Sequence, residues 1–253
     1  MSDPQQGGPA THGLPPAALV TGAARRIGRI LSLALAAEGF AVALHYRSSA
    51  AEAEALAQEI AAAGGRAVPV AADLAREDEV QALVPKAVEA VGPLGLLVNN
   101  ASHFARDTVA TADRATWDAH LEPNLRAPLV LCQGFSRQLP SGSRGLIVNL
   151  LDQRVLKPGP TFISYGVAKA GLWALTQSLA LALAPRIRVN GIGPGFMLPD
   201  RGQSEADFRR FVERQPLKTG GTPEEAAAAL RFIIGAGSMT GQIIALDGGQ
   251  HLA

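Results

Sequence analysis

The sequence predicts a doubly wound α/β fold, in which helices cover both faces of one seven-stranded parallel sheet. Short apolar runs alternate along the chain with longer segments whose apolar residues recur at helical spacing. Most of these runs are apolar throughout, which is typical of strands that are buried on both faces. The chain has 253 residues, 47% of them apolar, which suits one domain with a full core rather than two.

The predicted elements follow in chain order. We expect strands at residues 17–20, 40–45, 67–71, 94–98, 146–151, 187–192 and 242–246. We expect helices between them, at residues 27–35, 53–60, 80–91, 117–139, 164–184 and 223–235. Gly39 and Gly64 stand where the first two helices should end, and Pro223 stands where the last one should begin.

Residues 1–16 are rich in glycine, proline, glutamine and small polar residues. This composition buries too little apolar surface to order the segment, so we expect a disordered tail before a single domain at residues 17–253. The tail has no apolar run of the kind found in a secretory signal. No charge-free apolar run in the chain reaches the ~18 residues of a membrane span, so we expect a cytoplasmic protein without a membrane partner.

The charge and cysteine content narrow the function classes further. A net charge of +1, with 18% charged residues, offers no basic surface for nucleic acid. The single cysteine, Cys132, excludes an intrachain disulfide, and its apolar neighbours indicate a small core residue rather than a nucleophile. We predict no metal site.

The first strand is followed by a tight turn that opens a helix, from Thr21 to Gly28. Gly22 and Gly28 allow a close backbone approach, and the N–H groups and dipole of a helix N-terminus favour a pyrophosphate. The pattern differs from the usual G-x-G-x-x-G, so a plain β–α turn is the alternative. Its position after the first strand favours a nucleotide-binding loop.

Residues 45–49, with the sequence His-Tyr-Arg-Ser-Ser, lead out of the second strand, and no acid occurs before Glu52. Sites that select NAD place an acid here, on the ribose 2′-hydroxyl. Arg47 and Ser48 suit a 2′-phosphate instead, and Arg25 can add a second positive charge. We therefore predict NADPH/NADP+ as the cofactor; the alternative is a solvated loop arginine.

Polar or turn residues also follow the other strands. They are Asp73-Leu74, Asn99-Asn100-Ala101-Ser102, Asp152 and Pro194-Gly195. Each is ordinary turn chemistry alone. Because the carboxyl ends of parallel strands meet at one edge of the sheet, together they predict a small-molecule site there.

Tyr165 and Lys169 are four residues apart on a predicted helix and therefore share one face. A lysine ammonium close to a phenol favours tyrosinate and lowers the phenol pKa from about 10, which makes a usable proton donor. The spacing alone is common on helices.

Taken together, these motifs resemble those of the short-chain dehydrogenase/reductase family, over nearly the whole chain from Ala17 onward. The matching residues are Thr21-Gly22, Asn99-Asn100-Ala101, Asn124, Tyr165, Lys169, Asn190, Pro194-Gly195 and Asp247-Gly248-Gly249. The resemblance implies a Rossmann-type, dinucleotide-binding catalytic domain, an oxidoreductase activity and a homotetramer.

The resemblance also implies residue roles. Tyr165 is implied as the proton donor, Lys169 as the residue that lowers its pKa and holds the nicotinamide ribose, and Asn124 as the support of a relay water through a kinked helix. The full set expected to bind NADPH is Gly22, Arg25, Arg26, Ile27, Gly28, Tyr46, Arg47, Ser48, Asp73, Leu74, Asn99, Ala101, Tyr165, Lys169, Pro194 and Gly195.

Two departures from the family pattern are informative. Arg26 stands where the family usually has glycine, and Asp152 stands 13 residues before Tyr165, where it usually has a catalytic serine. Both are typical of the pteridine reductase and dihydromonapterin reductase branch, in which a phenylalanine in the position of Phe104 stacks on the pterin. The substrate-binding residues implied are Arg26, Ser102, Phe104, Asp152 and Tyr165.

The chemistry of Asp152 supports this branch. An ionised carboxylate cannot donate to the oxyanion that develops when a ketone is reduced, whereas reduction of a C=N bond requires a proton on nitrogen. The sequence therefore predicts an NADPH-dependent reductase of a pterin-type C=N bond. The alternatives are a general carbonyl reductase or alcohol dehydrogenase, and a non-catalytic NADPH-sensing protein. Asp152 as a loop carboxylate paired with Arg154, Phe104 as a core residue and Arg26 as a surface residue also remain open.

Overall fold

The computed structural model describes residues 11–199 and 202–253. The strands are β1 (Ala17–Val20), β2 (Ala41–Tyr46), β3 (Ala67–Ala71), β4 (Leu96–Asn99), β5 (Gly145–Leu150), β6 (Ile187–Pro194) and β7 (Ile243–Leu246). The helices are α1 (Arg26–Ala37), α2 (Ala50–Ala62), α3 (Glu77–Val91), α4 (Arg114–Leu121), α5 (Ala127–Gln138), α6 (Ile163–Ala182), α7 (Glu205–Glu213) and α8 (Pro223–Gly235).

All the strand pairs are parallel, and the strands of the described ranges form one sheet in the order β3-β2-β1-β4-β5-β6-β7. This confirms the predicted fold class. The chain order reverses between β1 and β4, and in such a sheet the crevice for ligands lies beyond the carboxyl ends of the strands at that point.

Two apolar cores cover the two faces of the sheet. On one face α1 and α8 pack through residues such as Leu31 and Ile233, both fully buried. On the other face α3 and α5 pack through residues such as Leu83 and Phe135. Full burial of each such side chain stabilises the fold by about 1.5–3 kcal/mol. Cys132 lies in the second core, and burial raises its thiol pKa to about 12, which confirms the prediction of a core residue.

Three elements differ from the prediction. The single helix expected at 117–139 is α4 and α5 joined by a π-helical turn at Glu122–Arg126. Strand β6 continues to Pro194, beyond the last apolar residue of its run. Helix α7 was not predicted, because its sequence is mostly charged; it begins where the Ser204 side chain accepts a hydrogen bond from the Asp207 N–H.

The packed chain begins before residue 17. Residues 1–10 of the expected disordered tail lie outside the described residues, but Leu14 is buried in the core and the Ala41 N–H donates to the Pro16 carbonyl. Among the described residues no helix has the length and apolar content needed to cross a membrane.

Candidate active site

The turn after β1 is a close-packed backbone cradle. Gly22 has a φ of +62°, and a Cβ on Gly28 would lie 2.1 Å from the Gly22 carbonyl oxygen. The hydroxyl of Thr21 accepts from the Asn100 and Ala101 N–H groups, each at 2.9 Å. The loops after β1 and β4 are therefore tied together, and only glycine at residue 28 leaves room at the N-terminus of α1. This cradle fits a pyrophosphate.

His45 holds the cradle against β2, a role that the sequence analysis did not assign. Its Nδ1 accepts from the Gly22 N–H at 3.0 Å, so its Nε2 carries the proton and donates to the Ala72 carbonyl at 3.0 Å. Burial lowers the pKa of this imidazole to about 4, although the Ala72 hydrogen bond and the nearby Asp73 charge oppose that shift. His45 is therefore neutral at pH 7. The signal in the sequence was a lone histidine inside an apolar strand.

Arginines surround the cradle. Arg47 and Ser48 are exposed at the end of β2, beside the half-buried Tyr46. Arg25 forms an ion pair with Glu52 at 3.3 Å, with both side chains about half exposed. This pair is of the kind that contributes little to stability, so Arg25 is easily redirected toward a phosphate.

Arg26 bonds to the backbone of the segment after β6, and its expected contact with the pyrophosphate or the substrate stays a prediction. It has a φ of +54°, and its guanidinium donates to the carbonyls of Pro199 (3.0 Å) and Leu198 (3.5 Å). The first loop is thus connected to the segment after β6. Arg26 is exposed on the first turn of α1, as the alternative of a surface arginine holds, and Ile27 packs against the core behind it.

The remaining expected cofactor residues lie at the ends of β3, β4 and β6. The Asp73 carboxylate accepts from the Ala75 N–H at 3.0 Å, and Leu74 is buried. The Asn99 amide turns into the sheet and donates to Asn149 Oδ1 at 2.8 Å, so its side chain braces β4 against β5. At the end of β6, Gly195 follows Pro194, and a Cβ on Gly195 would lie 2.6 Å from that of Asp247.

Tyr165, Asp152 and Lys169 converge beyond the end of β5. The Tyr165 hydroxyl donates to Asp152 Oδ2 at 2.9 Å, and the Lys169 ammonium donates to the Leu150 carbonyl at 2.7 Å. Lys169 Nζ lies 5.8 Å from the centroid of the Tyr165 ring. Tyr165 and Lys169 are buried at 5% and 2% exposure, and the Asp152 side chain is 14% exposed. The predicted pair does share one face of α6, and the region bordered by Tyr165, Asp152 and Phe104 is called the cleft below.

The expected effect of Lys169 on Tyr165 is corrected by the structure. The pKa of Tyr165 lies well above its ordinary value, first because the phenol is buried and then because the Asp152 carboxylate is adjacent; Arg154 and Ser102 oppose the shift. Burial lowers the pKa of Lys169 to about 8, against the attraction of Asp152. The nearest charge to the phenol is therefore negative.

Aromatic side chains form one wall of the cleft. Phe104 is 37% exposed, so it is a surface of the cleft and not a core residue. Its ring stacks on Phe162 at 4.6 Å between centroids and 7° between planes, and it meets the edge of Tyr165 at 4.7 Å. Ser102 is exposed on the same loop, and its hydroxyl donates to the His103 carbonyl at 3.4 Å.

Asn124 lies in the π-helical turn, where the helix was expected to be kinked. Its amide oxygen accepts from the His103 N–H and its amide nitrogen donates to the His103 carbonyl, both at 2.8 Å. In the structure Asn124 therefore anchors the loop that carries Phe104. Its expected support of a relay water stays a prediction.

A buried polar network beneath this loop was missed. Asp107 accepts hydrogen bonds from the backbone N–H and the hydroxyl of Ser164, and so caps the start of α6. His120 Nδ1 lies 2.8 Å from the same hydroxyl, while its Nε2 accepts from the Ala105 N–H at 3.1 Å. The network connects the Phe104 loop to the residue next to Tyr165. Among residues 11–199 and 202–253 no cluster of His, Cys, Asp and Glu could hold a metal ion.

The comparisons with known proteins agree with this geometry. A family model described as short chain dehydrogenase matches residues 16–209. The structure is similar to those of FolM alternative dihydrofolate reductase 1 from Brucella canis and from Brucella suis, both in complex with NADP. The first has a TM-score of 0.92 and 46% identity, covering 96% of this chain and 97% of that one. The second has a TM-score of 0.91 and 47% identity, covering 94% and 95%.

One curated relative is named for a different substrate. The 3-oxoacyl-[acyl-carrier-protein] reductase of Synechocystis sp. is 35% identical over 238 residues, which cover 92% of this chain and 96% of that protein. The match spans the cradle and the cleft alike, so it does not discriminate between substrates.

Proposed function

We propose that this chain, which belongs to the short-chain dehydrogenase family, is an NADPH-dependent oxidoreductase that reduces a C=N bond in a pterin-type ring. The observation that carries the proposal is the 2.9 Å hydrogen bond from Tyr165 to Asp152. An ionised carboxylate there would repel a developing alkoxide, whereas Asp152 that has taken a proton from solvent can pass it through Tyr165 to nitrogen. The likeness to the two FolM structures supports the same substrate class.

The cofactor would be held by the residues of the cradle and its neighbours. The glycine turn and the first N–H groups of α1 suit the pyrophosphate, and Arg47 with Ser48 suits the 2′-phosphate. Lys169, which donates to the Leu150 carbonyl in this structure, would turn to the nicotinamide ribose. The NADP in the two FolM complexes supports this assignment. Bound NADPH supplies the hydride, which is added to the carbon of the C=N bond.

Tyr165 and Asp152 would supply the proton. The raised pKa keeps Tyr165 protonated at neutral pH. When Asp152 takes a proton from solvent, it ceases to repel the tyrosinate charge and becomes a donor to the phenol oxygen. Tyr165 then gives its own proton to the ring nitrogen as it receives the proton of Asp152, so one solvent proton is consumed for each hydride transferred.

Phe104 would provide the stacking surface for the substrate. A flat aromatic ring already lies parallel to it, at 4.6 Å, in the form of Phe162. Phe162 is the residue before α6 and has a φ of +60°, a conformation that non-glycine residues adopt at some cost. We infer that the substrate ring replaces Phe162 against Phe104, with its reactive edge toward Tyr165.

The test is an NADPH-oxidation screen with the purified protein, comparing dihydropteridines, folates, quinones and 3-oxoacyl thioesters. The proposal expects turnover of a dihydropteridine and little turnover of the oxoacyl substrate. The reverse ranking would favour the activity named for the Synechocystis relative. NADPH binding without turnover of any compound would favour a sensing protein.

A further inference from the structure

Arg154 lies at the mouth of the cleft, between the reacting groups and the aromatic wall. One guanidinium nitrogen, Nη1, contacts both carboxylate oxygens of Asp152, at 3.4 and 3.3 Å. The guanidinium carbon lies 5.6 Å from the ring centroid of Phe104 and 4.9 Å from that of Phe162. Arg154 therefore borders both the carboxylate and the place where a flat ring would stack.

Two nitrogens of the Arg154 guanidinium can donate to a ligand. Its Nε and Nη2 groups have no hydrogen-bond partner within the described part of the chain, and the side chain is 22% exposed. An arginine needed only to balance Asp152 would use two nitrogens in a parallel pair with the carboxylate. Arg154 uses one and keeps the rest of its planar donor fork at the rim of the cleft.

The net positive charge around Asp152 also favours the binding of an anion. Lys169 and Arg154 contribute two positive charges beside the single negative charge of Asp152, and all three side chains are largely removed from water. Asp152 is the only acid that contacts Arg154 among the described residues. A carboxylate that arrived with the substrate would meet a guanidinium with free donors, in a partly desolvated position where such a pair is strong.

We propose that Arg154 is a specificity-determining residue, which binds a carboxylate carried at the rim of a flat substrate ring. This inference rests on the proposed function, since it takes the ring to occupy the position of Phe162 against Phe104. A ring in that position would lie about as far from the guanidinium as the Phe162 ring does, 4.9 Å from its centroid. A substituent on its rim would then reach Nε or Nη2.

The test compares two substrates with the same ring, 6-carboxy-7,8-dihydropterin and 6-methyl-7,8-dihydropterin, of which only the first carries a carboxylate on the rim of the ring. Arg154→Met keeps the length of the side chain and removes the charge. We expect kcat/KM for the carboxy compound to fall about tenfold more than kcat/KM for the methyl compound, mostly through KM, as for loss of one charge-assisted hydrogen bond. Dissociation constants measured by calorimetry on the NADP+-loaded protein should change in the same ratio.

Two control variants define the effect. Arg154→Lys keeps a cation and should restore part of the preference, while Lys157→Met removes an exposed cation from the same loop and should leave the ratio unchanged. Equal losses for the two substrates in Arg154→Met would overturn the inference, since Arg154 would then act only through Asp152, and the proposed function would stand. A wild-type protein that turns over neither compound would overturn both.

Discussion

Replacing Asp152 tests the proposed chemistry most directly. Asp152→Ser introduces the side chain that the family usually has at this position, and Asp152→Asn keeps the size and a hydrogen-bond acceptor but cannot carry a proton. Both remove the carboxylate that lies 2.9 Å from the Tyr165 hydroxyl. A hydrogen bond to a charged group contributes about 1.5–3 kcal/mol, and a positioned proton donor accelerates a reaction about 10²–10⁴-fold.

We therefore expect kcat with a dihydropteridine to fall about 100-fold or more in both variants. The dissociation constant of NADPH, measured by fluorescence titration, should change little, because among the described residues the Asp152 carboxylate bonds to Tyr165 and Arg154 and to no group of the glycine cradle. Equal losses of turnover and of NADPH binding would refute the reasoning and make Asp152 a structural residue.

A spectroscopic measurement checks the effect of the Asp152 charge on the pKa of Tyr165 independently of turnover. The Asp152 charge is one of the causes that raise the pKa of Tyr165, so Asp152→Asn should lower the pH at which Tyr165 ionises. The chain has 2 tyrosines, and a Tyr46→Phe background leaves the tyrosinate absorbance to Tyr165 alone. An unchanged titration would mean that burial alone sets the pKa.

Three further predictions concern the cofactor site and its support. Arg47→Ala should weaken NADPH binding about tenfold and leave NADH binding unchanged, because one charge-assisted contact to the 2′-phosphate is lost; equal weakening of both would contradict this. Gly28→Ala should abolish NADPH binding and lower the melting temperature, because the added Cβ would lie 2.1 Å from the Gly22 carbonyl oxygen. Gly237→Ala is the control: its Cβ would meet no atom within 4 Å, so neither property should change. His45 has a pKa of about 4 in the folded protein and about 6.5 in the unfolded chain, so the unfolded chain binds more protons between these two pH values. The free energy of unfolding, measured with urea, should therefore be about 2 kcal/mol lower at pH 5 than at pH 7. His45→Asn should abolish this difference.

The fold and the edge of the sheet that carries the site were predictable because both follow from local periodicity. Seven apolar runs predicted seven strands, and parallel strands bring their carboxyl ends to one edge. The family prediction is confirmed, since the family model covers residues 16–209. Helix α7 was missed although Phe208, Phe211 and Val212 recur at helical spacing, because most of its other residues are charged.

Contacts between distant residues were not predictable. Asp107 and Ser164 are 57 residues apart, and neither has a sequence neighbourhood that marks it as a helix cap. For a related reason, the shift in the pKa of Tyr165 was predicted in the wrong direction. Helical spacing correctly places Lys169 near the phenol, but the Lys169 ammonium donates to the Leu150 carbonyl. The charged group that contacts the Tyr165 hydroxyl is the carboxylate of Asp152, which lies in the loop after β5.

The two proposals together connect substrate binding to proton uptake. Arg154 Nη1 lies 3.3 Å from Asp152 Oδ2, so the same guanidinium borders the proton relay and the proposed site for the substrate carboxylate. A substrate carboxylate bound to Arg154 would compensate its positive charge and draw it away from Asp152. The surroundings of the relay would then change only with the ring in place, when the C=N bond is positioned to receive the proton.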